Sequence, residues 1–397
     1  MEKKYLKHIE LKGKVVFCRN DFNVPLNENG EIVDDTRLEA SLPTLKYLID
    51  NGARIVCASH MGRPEGEKKP ELSLKPVAVK LSGMLNTKVM FNGKITGKEI
   101  EKIKSGLKEG EILLLENLRF DPGETKNGRK FAKELAKGID VYVNNAFAVS
   151  HRKHASVVRI TGFVPISVKG FLLKREIDYL SLAIEKPPEN FCIILGGAKV
   201  SDKIPLILNL MDKVKTILIG GAMSYTFLKA KGINVGNSKV EDDFIEMCSD
   251  IFKKAEENNV KILLPVDHIA SVTIEPNVTI KMVKIGEEIP ENMTGLDIGM
   301  DTVQLYKEEI KRAELIVWNG PMGVFEIDLF SGGTTEIAKA VAESTALSIV
   351  GGGDTVLAVH KAGVGGAISH ISTGGGASLA FLSGKKLPGI EALSEVL

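Results

Sequence analysis

Short apolar runs alternate with longer amphipathic stretches along almost the whole chain. In the first half the runs are "VVFC" (15–18), "ARIVCA" (53–58), "EILLL" (111–115) and "DVYV" (140–143). In the second half they are "FCIIL" (191–195), "TILIG" (216–220), "KILLPV" (261–266), "LIVW" (315–318) and "LSIV" (347–350). They are rich in β-branched residues and apolar without alternation, the pattern of strands buried on both faces of a sheet. Between them, "TRLEASLPTLKYLIDNG" (36–52) and "DDFIEMCSDIFKKAEENN" (242–259) space apolar residues as a helix does, and Thr36 with Glu39 predicts a capping box at the start of the first. Repeated strand–helix–strand order predicts an α/β fold with parallel sheets, whose ligands lie at the carboxyl ends of the strands.

At 397 residues the chain exceeds what one core usually supports, so two domains are expected. The segment "GFLLKREIDYLSLAIEKPPEN" (170–190) predicts an amphipathic helix stopped by Pro187 and Pro188, just before a fresh series of strands, and reads as the connector. Charge narrows the function classes. Lys and Arg total 52 and Asp and Glu 51, for a net charge of +1, so general attraction to nucleic acid or to an anionic membrane is not expected. Cys18, Cys57, Cys192 and Cys248 are widely spaced and form no C-x-x-C pair, which argues against a disulfide framework or a zinc site and for a reducing compartment. The start "MEKKYLKHIE" has no apolar export region, and no apolar run is long enough to span a membrane, so a cytoplasmic protein is expected.

The charge is unevenly typed. Nine of the ten arginines lie at or before residue 175, while lysines run throughout. In the first half the predicted strands run into polar or basic residues: Arg19, Asn20, Asp21 and Asn23 after the first, His60 and Arg63 in "SHMGRP" after the second, Arg119 in "ENLRF", and His151 and Arg152 in "NNAFAVSHRKH". Arg37 adds a cation at the start of a helix, where free backbone N–H groups also favour anions. A single arginine at a strand end is most simply a solvated charge. Arginine or histidine at most of them predicts a basic pocket for a small, multiply charged anion.

In the second half the strand ends carry glycine instead: "GGAKVSDK" (196–203), "GGAMSYTF" (220–227), "NGPMGVFE" (319–326), "GGGDT" (351–355) and "ISTGGGAS" (371–378). One Gly-Gly pair is as readily a tight turn, but a series of such loops favours a polyphosphate cradled by backbone amides, and hence a nucleotide. Neither a P-loop nor a G-x-G-x-x-G fingerprint occurs, and H-E-x-x-H and G-x-S-x-G are absent as well. Lys199 and Lys203 stand four apart, on one face if a helix starts there, with Lys203 placed to meet a transferring phosphoryl group. Asp354 is either a helix N-cap or a Mg²⁺ ligand acting through nucleotide phosphates, and both roles are compatible.

Taken in order, "DFNVP", "DDTR", "SHMGRP", "LLLENLRF", "GGAKVSDKI", "WNGPMGVFE", "GGGDT" and "STGGGA" resemble the phosphoglycerate kinase family over nearly the whole chain. The resemblance implies two Rossmann-like domains with parallel sheets joined by a connecting helix: a phosphoglycerate-binding domain at 1–170, the helix at 171–188, a nucleotide-binding domain at 189–372 and a segment at 373–397 that returns to the first domain. It implies reversible phosphoryl transfer between 1,3-bisphosphoglycerate and Mg²⁺-bound ADP, giving 3-phosphoglycerate and ATP, by a hinge-bending monomer. Carried over by position, it gives 3-phosphoglycerate to Asp21, Asn23, Arg37, His60, Arg63, Arg119 and Arg152. It gives nucleotide to Lys199, Lys203, Gly295, Glu326, Gly352, Gly353, Asp354 and Thr355, the metal to Asp354, and the transferred group to Arg37, Lys203, Gly353 and Gly375. Three positions depart from the family pattern: Asn20 replaces a common valine, Asn145 an aspartate in "NDAF" and Ser150 an alanine before "HR"; and "DIG" at 297–299 lacks its usual following proline. A binding protein that had lost catalysis would lack Arg37 or Lys203, and both are present. A kinase for another carboxylate is separated from this reading only by the resemblance.

Overall fold

The computed structural model describes residues 2–284 and 286–396. The chain divides into two compact units, Met1–Ile177 with Lys386–Leu397, and Asp178–Lys385. The helix Phe171–Glu185 crosses that division.

The first unit is built on β1 (Val15–Arg19), β2 (Arg54–Ala58), β3 (Val89–Phe91), β4 (Ile112–Leu114), β5 (Val141–Asn144) and β6 (Ile166–Lys169). They form one six-stranded sheet in the order β3-β4-β2-β1-β5-β6, with every pairing parallel. β1, β4 and β5 are buried along their whole length, as uninterrupted apolar runs require. The helix Thr36–Asp50 turns Leu38, Leu45 and Leu48 onto the sheet, each fully buried and worth about 1.5–3 kcal/mol. Its start differs from the expected capping box. Asp35 stands at the N-cap without a side-chain cap, and Thr36 is already the first residue of the helix, with its hydroxyl donating back to Asp34 Oδ1 at 2.6 Å, so it is not in the capping position.

The second unit holds β7 (Phe191–Leu195), β8 (Thr216–Ile219), β9 (Lys261–Leu263), β10 (Asp267–Ser271), β11 (Lys281–Lys284), β12 (Thr294–Ile298), β13 (Leu315–Asn319), β14 (Leu347–Gly351) and β15 (His370–Ile371). Six of them make a parallel sheet in the order β15-β14-β13-β7-β8-β9, around a core that includes the fully buried Trp318. The remaining three make an antiparallel sheet, β11-β10-β12, that the apolar pattern did not predict. Its strands are short and polar, and in β11 only Val283 is buried, so no apolar run announces it.

In both large sheets the chain reverses its direction of strand addition once, between β1 and β5 in the first and between β7 and β13 in the second. Open α/β sheets bind ligands outside the carboxyl ends of strands at such points. Register keeps those ends level: Arg19 pairs with Ala58 and Asn144, and Asn319 with Leu195 and Gly351. Residues 386–396 pack back onto the first unit, Lys4 N–H donating to Ser394 O at 2.8 Å and Ser394 N–H to Ser167 O at 2.9 Å.

Candidate functional site

At the β1/β5 reversal the buried Asp21 is the organising group. Its carboxylate binds the Arg37 guanidinium through Oδ2, lies 3.7 Å from His60 Nδ1 and accepts from Asn23 N–H at 3.2 Å. Asn23 Oδ1 accepts from Gly62 N–H at 2.8 Å, and Gly62 O accepts from Arg119 Nη1 at 2.7 Å. Asp21, Asn23, Arg37, His60 and Arg119 are thus brought together by one continuous chain of contacts. Arg152 acts electrostatically on Arg119 and His154 and is exposed; Arg63, next after Gly62, is exposed as well.

Cations outnumber carboxylates around this pocket, and the titrating groups record it. His60 is held well below its ordinary value, first by burial and then by Arg19, Arg119 and Arg37. Burial and the charges of Arg19, Arg119 and Arg152 push His154 down to about 3, and His151 is lowered by burial and Arg152. Burial, with Arg19 and Arg152, brings Arg119 down to about 10, which leaves it cationic at neutral pH. Arg119 Nε and His154 Nδ1 are buried without a hydrogen-bond partner among the described residues. His154 Nδ1 lies 3.7 Å from Glu124 Oε1, so it is the excess of guanidinium groups over carboxylates that fits an anion here.

At the β7/β13 reversal, Lys203 is buried and donates to Asn319 Oδ1 at the end of β13. Burial lowers its pKa, while Asp202 and Asp354 pull it back. Asn319 Nδ2 donates to Gly351 O at 2.8 Å, and Gly320 N–H to Thr355 Oγ1 at 2.7 Å, which ties the two neighbouring loops together. The helix Gly353–Lys361 begins here, with Gly353 and Asp354 exposed in its first turn.

The glycines fall into two kinds. A Cβ at Gly196 would lie 2.1 Å from Pro321 O, and one at Gly320 2.1 Å from Gly196 O, so the loops after β7 and β13 are glycine because they touch. Gly353 and Gly375 have nothing within 4 Å of an added Cβ, and Gly375, at φ +45°, needs glycine for its backbone alone. Only this second kind leaves backbone open to a ligand. Gly295 belongs with the first: in β12 its N–H is given to Ser238 Oγ at 2.9 Å, and a Cβ would meet Tyr225 Oη at 1.9 Å. Glu326 is exposed, in the loop after Gly320 that returns to β12 through Val324 N–H and Leu296 O at 2.9 Å.

Comparison with known proteins decides the family. A family profile described as "Phosphoglycerate kinase" matches residues 6–385. The chain belongs to the phosphoglycerate kinase family. It is 52% identical to the phosphoglycerate kinase of Thermosipho africanus (strain TCF52B), over 99% of this chain and 98% of that one, and 51% identical to that of Geobacter metallireducens, over 99% and 98%. Among solved structures, phosphoglycerate kinase from Coxiella burnetii superposes with a TM-score of 0.88 at 39% identity, and that from Pyrococcus horikoshii OT3 with 0.86 at 34%, each covering 98% of both chains.

Within this phosphoglycerate kinase scaffold one sequence expectation is corrected. Lys199 and Lys203 do not share a helix face, because the helix starts only at Ile204, with Lys203 at its N-cap and Lys199 exposed in the preceding loop. Pro205 explains the late start: in the first turn its missing N–H costs nothing, whereas a helix from residue 199 would place it in the interior. Asn319, Glu124, Ser156 and His154 are polar site neighbours that the sequence reading did not single out. Asn319 had a usable signal, standing directly after an apolar run. Glu124 had none, because "DPGETKNG" reads as an ordinary surface loop while the carboxylate is fully buried, accepting from Ser156 Oγ at 2.6 Å and Ser156 N–H at 2.9 Å.

No group of three or more His, Cys, Asp or Glu among the described residues could hold a metal. The exposed carboxylate of Asp354, next to Gly353 in the first turn of its helix, suits Mg²⁺ that arrives with nucleotide phosphates, since Mg²⁺ is commonly held by one or two carboxylates plus phosphate oxygens.

Proposed function

We propose that the two strand-end constellations are the two substrate sites of the family's reaction, phosphoglycerate at the β1/β5 reversal and nucleotide at the β7/β13 reversal. The reaction is reversible transfer of a phosphoryl group between 1,3-bisphosphoglycerate and ADP, giving 3-phosphoglycerate and ATP, a step of glycolysis. The observation that carries the assignment is the excess of cations at these strand ends: Arg37 and His60 on the buried Asp21, with Arg119 joined to them through Gly62 and Asn23, a set that an anion would balance. On this reading Asp21, Asn23, Arg37, His60, Arg63, Arg119 and Arg152 hold phosphoglycerate. Lys199, Lys203, Gly295, Glu326 and Gly352 to Thr355 serve the nucleotide, Gly295 through the packing of β12.

In the ATP-consuming direction a carboxylate oxygen of 3-phosphoglycerate bonds to the γ-phosphorus as the bond to the bridging oxygen of ADP breaks. That carboxylate is already ionised at neutral pH, so no general base is needed. Catalysis reduces to holding two anions in line and stabilising charge on the phosphoryl oxygens. Arg37, preset by Asp21, and Lys203, preset by Asn319, are the cations that would do this, with the Gly353 and Gly375 amides in Lys203's own unit. Mg²⁺, when bound at Asp354, neutralises phosphate charge. The four free, buried cysteines suit a cytoplasmic enzyme, and the family resemblance supports a monomer that bends at the helix Phe171–Glu185.

The test is turnover with ATP and 3-phosphoglycerate, following ADP. ADP should form only when the acceptor is present. Equal ADP with and without 3-phosphoglycerate, or none in either, would overturn the reading.

A further inference from the structure

Two of the residues that depart from the family pattern face each other under the phosphoglycerate strands. Asn20, Asn145 and Thr44 are fully buried. Asn145 Oδ1 accepts from Leu172 N–H at 3.1 Å and from the Thr44 hydroxyl at 2.8 Å, and Thr44 Oγ1 accepts from Phe171 N–H at 3.0 Å. A backbone N–H can only donate, so the oxygen of Asn145 must face Leu172 and its nitrogen must face Asn20, whose Oδ1 is 3.0 Å away. Asn20 is oriented in the same way, because its nitrogen donates at 3.0 Å to Cys18 O, which can only accept. Each of the two amide nitrogens therefore has an acceptor, and neither amide can flip without losing it. Gly170 makes room for it, since a Cβ there would lie 2.4 Å from Asn145 Oδ1.

The two departures thus require each other. With aspartate at 145, oxygen would face the oxygen of Asn20. With valine at 20, the Asn145 N–H would be buried without an acceptor. The network ends at the first turn of the helix Phe171–Glu185 on one side and on the other at Asn20, which precedes Asp21, the residue that holds Arg37.

We propose that Asn20 and Asn145 are a matched pair of positioning residues. They lock the start of that helix to the end of β1 and so hold Asp21 and Asn23 in place for phosphoglycerate. The proposal rests on the assignment of Asp21 and Asn23 to that substrate.

The experiment uses the full chain and compares Asn20→Val, Asn145→Asp, the double variant and, separately, Asp21→Asn. KM for 3-phosphoglycerate, KM for ATP, kcat and melting temperature are measured for each. Each single variant should raise KM for 3-phosphoglycerate about 3- to 10-fold, leave KM for ATP within about twofold, and melt lower. The double variant should return all of these to near the parent values. Lower melting with unchanged KM in the single variants would reduce the pair to a structural role and overturn the proposal, as would additive losses in the double variant. If a single variant does not fold, a folded double variant with parental KM supports the pairing, and an unfolded one overturns it. An unchanged KM for 3-phosphoglycerate in Asp21→Asn would instead bring down the site assignment beneath it.

Discussion

Arg37 and Lys203 are each held by a side chain from elsewhere in their own unit, Asp21 and Asn319, before any substrate arrives. Preorganisation of this kind lets a cation act on charge that develops during transfer without moving to meet it. Arg37→Ala should therefore lower kcat by about 10²- to 10³-fold, with a smaller change in KM for 3-phosphoglycerate, measured by steady-state kinetics on protein shown to be folded. Lys203→Ala should also lower kcat strongly, whereas Lys199→Ala should raise KM for ATP and leave kcat nearly intact; interchangeable kinetics would mean that burial of Lys203 has no catalytic meaning. At this scale the sequence was a good guide to chemical type and a poor one to contact. Polar and basic residues at successive strand ends singled out Asp21, His60 and Arg119, which the fold brings together, because strand ends are local features. That Glu124 lies fully buried against Ser156 depends on segments 32 residues apart, which no local pattern records.

Elements tell a different story about glycine. The loops after β7 and β13 look alike in sequence to those that open the helices Gly353–Lys361 and Gly376–Leu382, yet the first pair are packed backbone to backbone, whereas Gly353 and Gly375 in the second pair stand open. A methyl group separates the two cases. Gly196→Ala should be strongly destabilising, because its Cβ would sit 2.1 Å from a backbone oxygen, and should show as a lowered denaturation midpoint of the second unit. Gly353→Ala should leave that midpoint nearly unchanged and raise KM for ATP, read by kinetics on the same samples. The large parallel sheets were legible because doubly buried strands must be apolar throughout. The β11-β10-β12 sheet was not, since Met282 is 55% exposed and Val283 alone is buried in its edge strand, leaving no run to see. Pro205 held a signal that the expected Lys199–Lys203 helix face overlooked: its place in the first helical turn sets the boundary that separates the two lysines.

For the molecule as a whole, the two units should respond differently to acid. His60, His151 and His154 all lie in the first unit with values lowered in the fold, so their neutral forms stabilise it. That stability is fully present above the unfolded value of about 6.5 and is lost as pH falls toward the folded values, His154's being about 3. In the second unit His268, lowered to about 4 by burial, acts in the same direction, but Asp297, raised to about 7 by burial, opposes it: its contribution is present below the unfolded carboxyl value and lost as pH rises through 7. Between pH 6.5 and 4 the first unit should therefore lose stability more steeply, and urea denaturation followed with a probe in each unit should show it unfolding first. Inorganic phosphate should blunt the loss by binding among the arginines. Motion is a second whole-molecule matter. Direct transfer needs reacting atoms about 3–3.5 Å apart, while the proposed ligands are held by separate units, so movement at the connecting helix should accompany occupation of both sites. Small-angle scattering should give the lowest radius of gyration with both ligands bound, using a non-reacting nucleotide analogue, and the same value in every state would refute it. The return of residues 386–396 to the first unit has a consequence for synthesis on the ribosome. All six strands of that unit have been made once Lys169 is translated, but Asn144 Nδ2 still awaits Gly389 O, 2.9 Å away in the finished fold, and Ser167 O awaits Ser394 N–H. At about 5–20 residues per second, the nascent first unit waits on the order of 10 to 45 s for its last pieces while the whole of the second emerges behind it. The half of the protein that is born first is finished last.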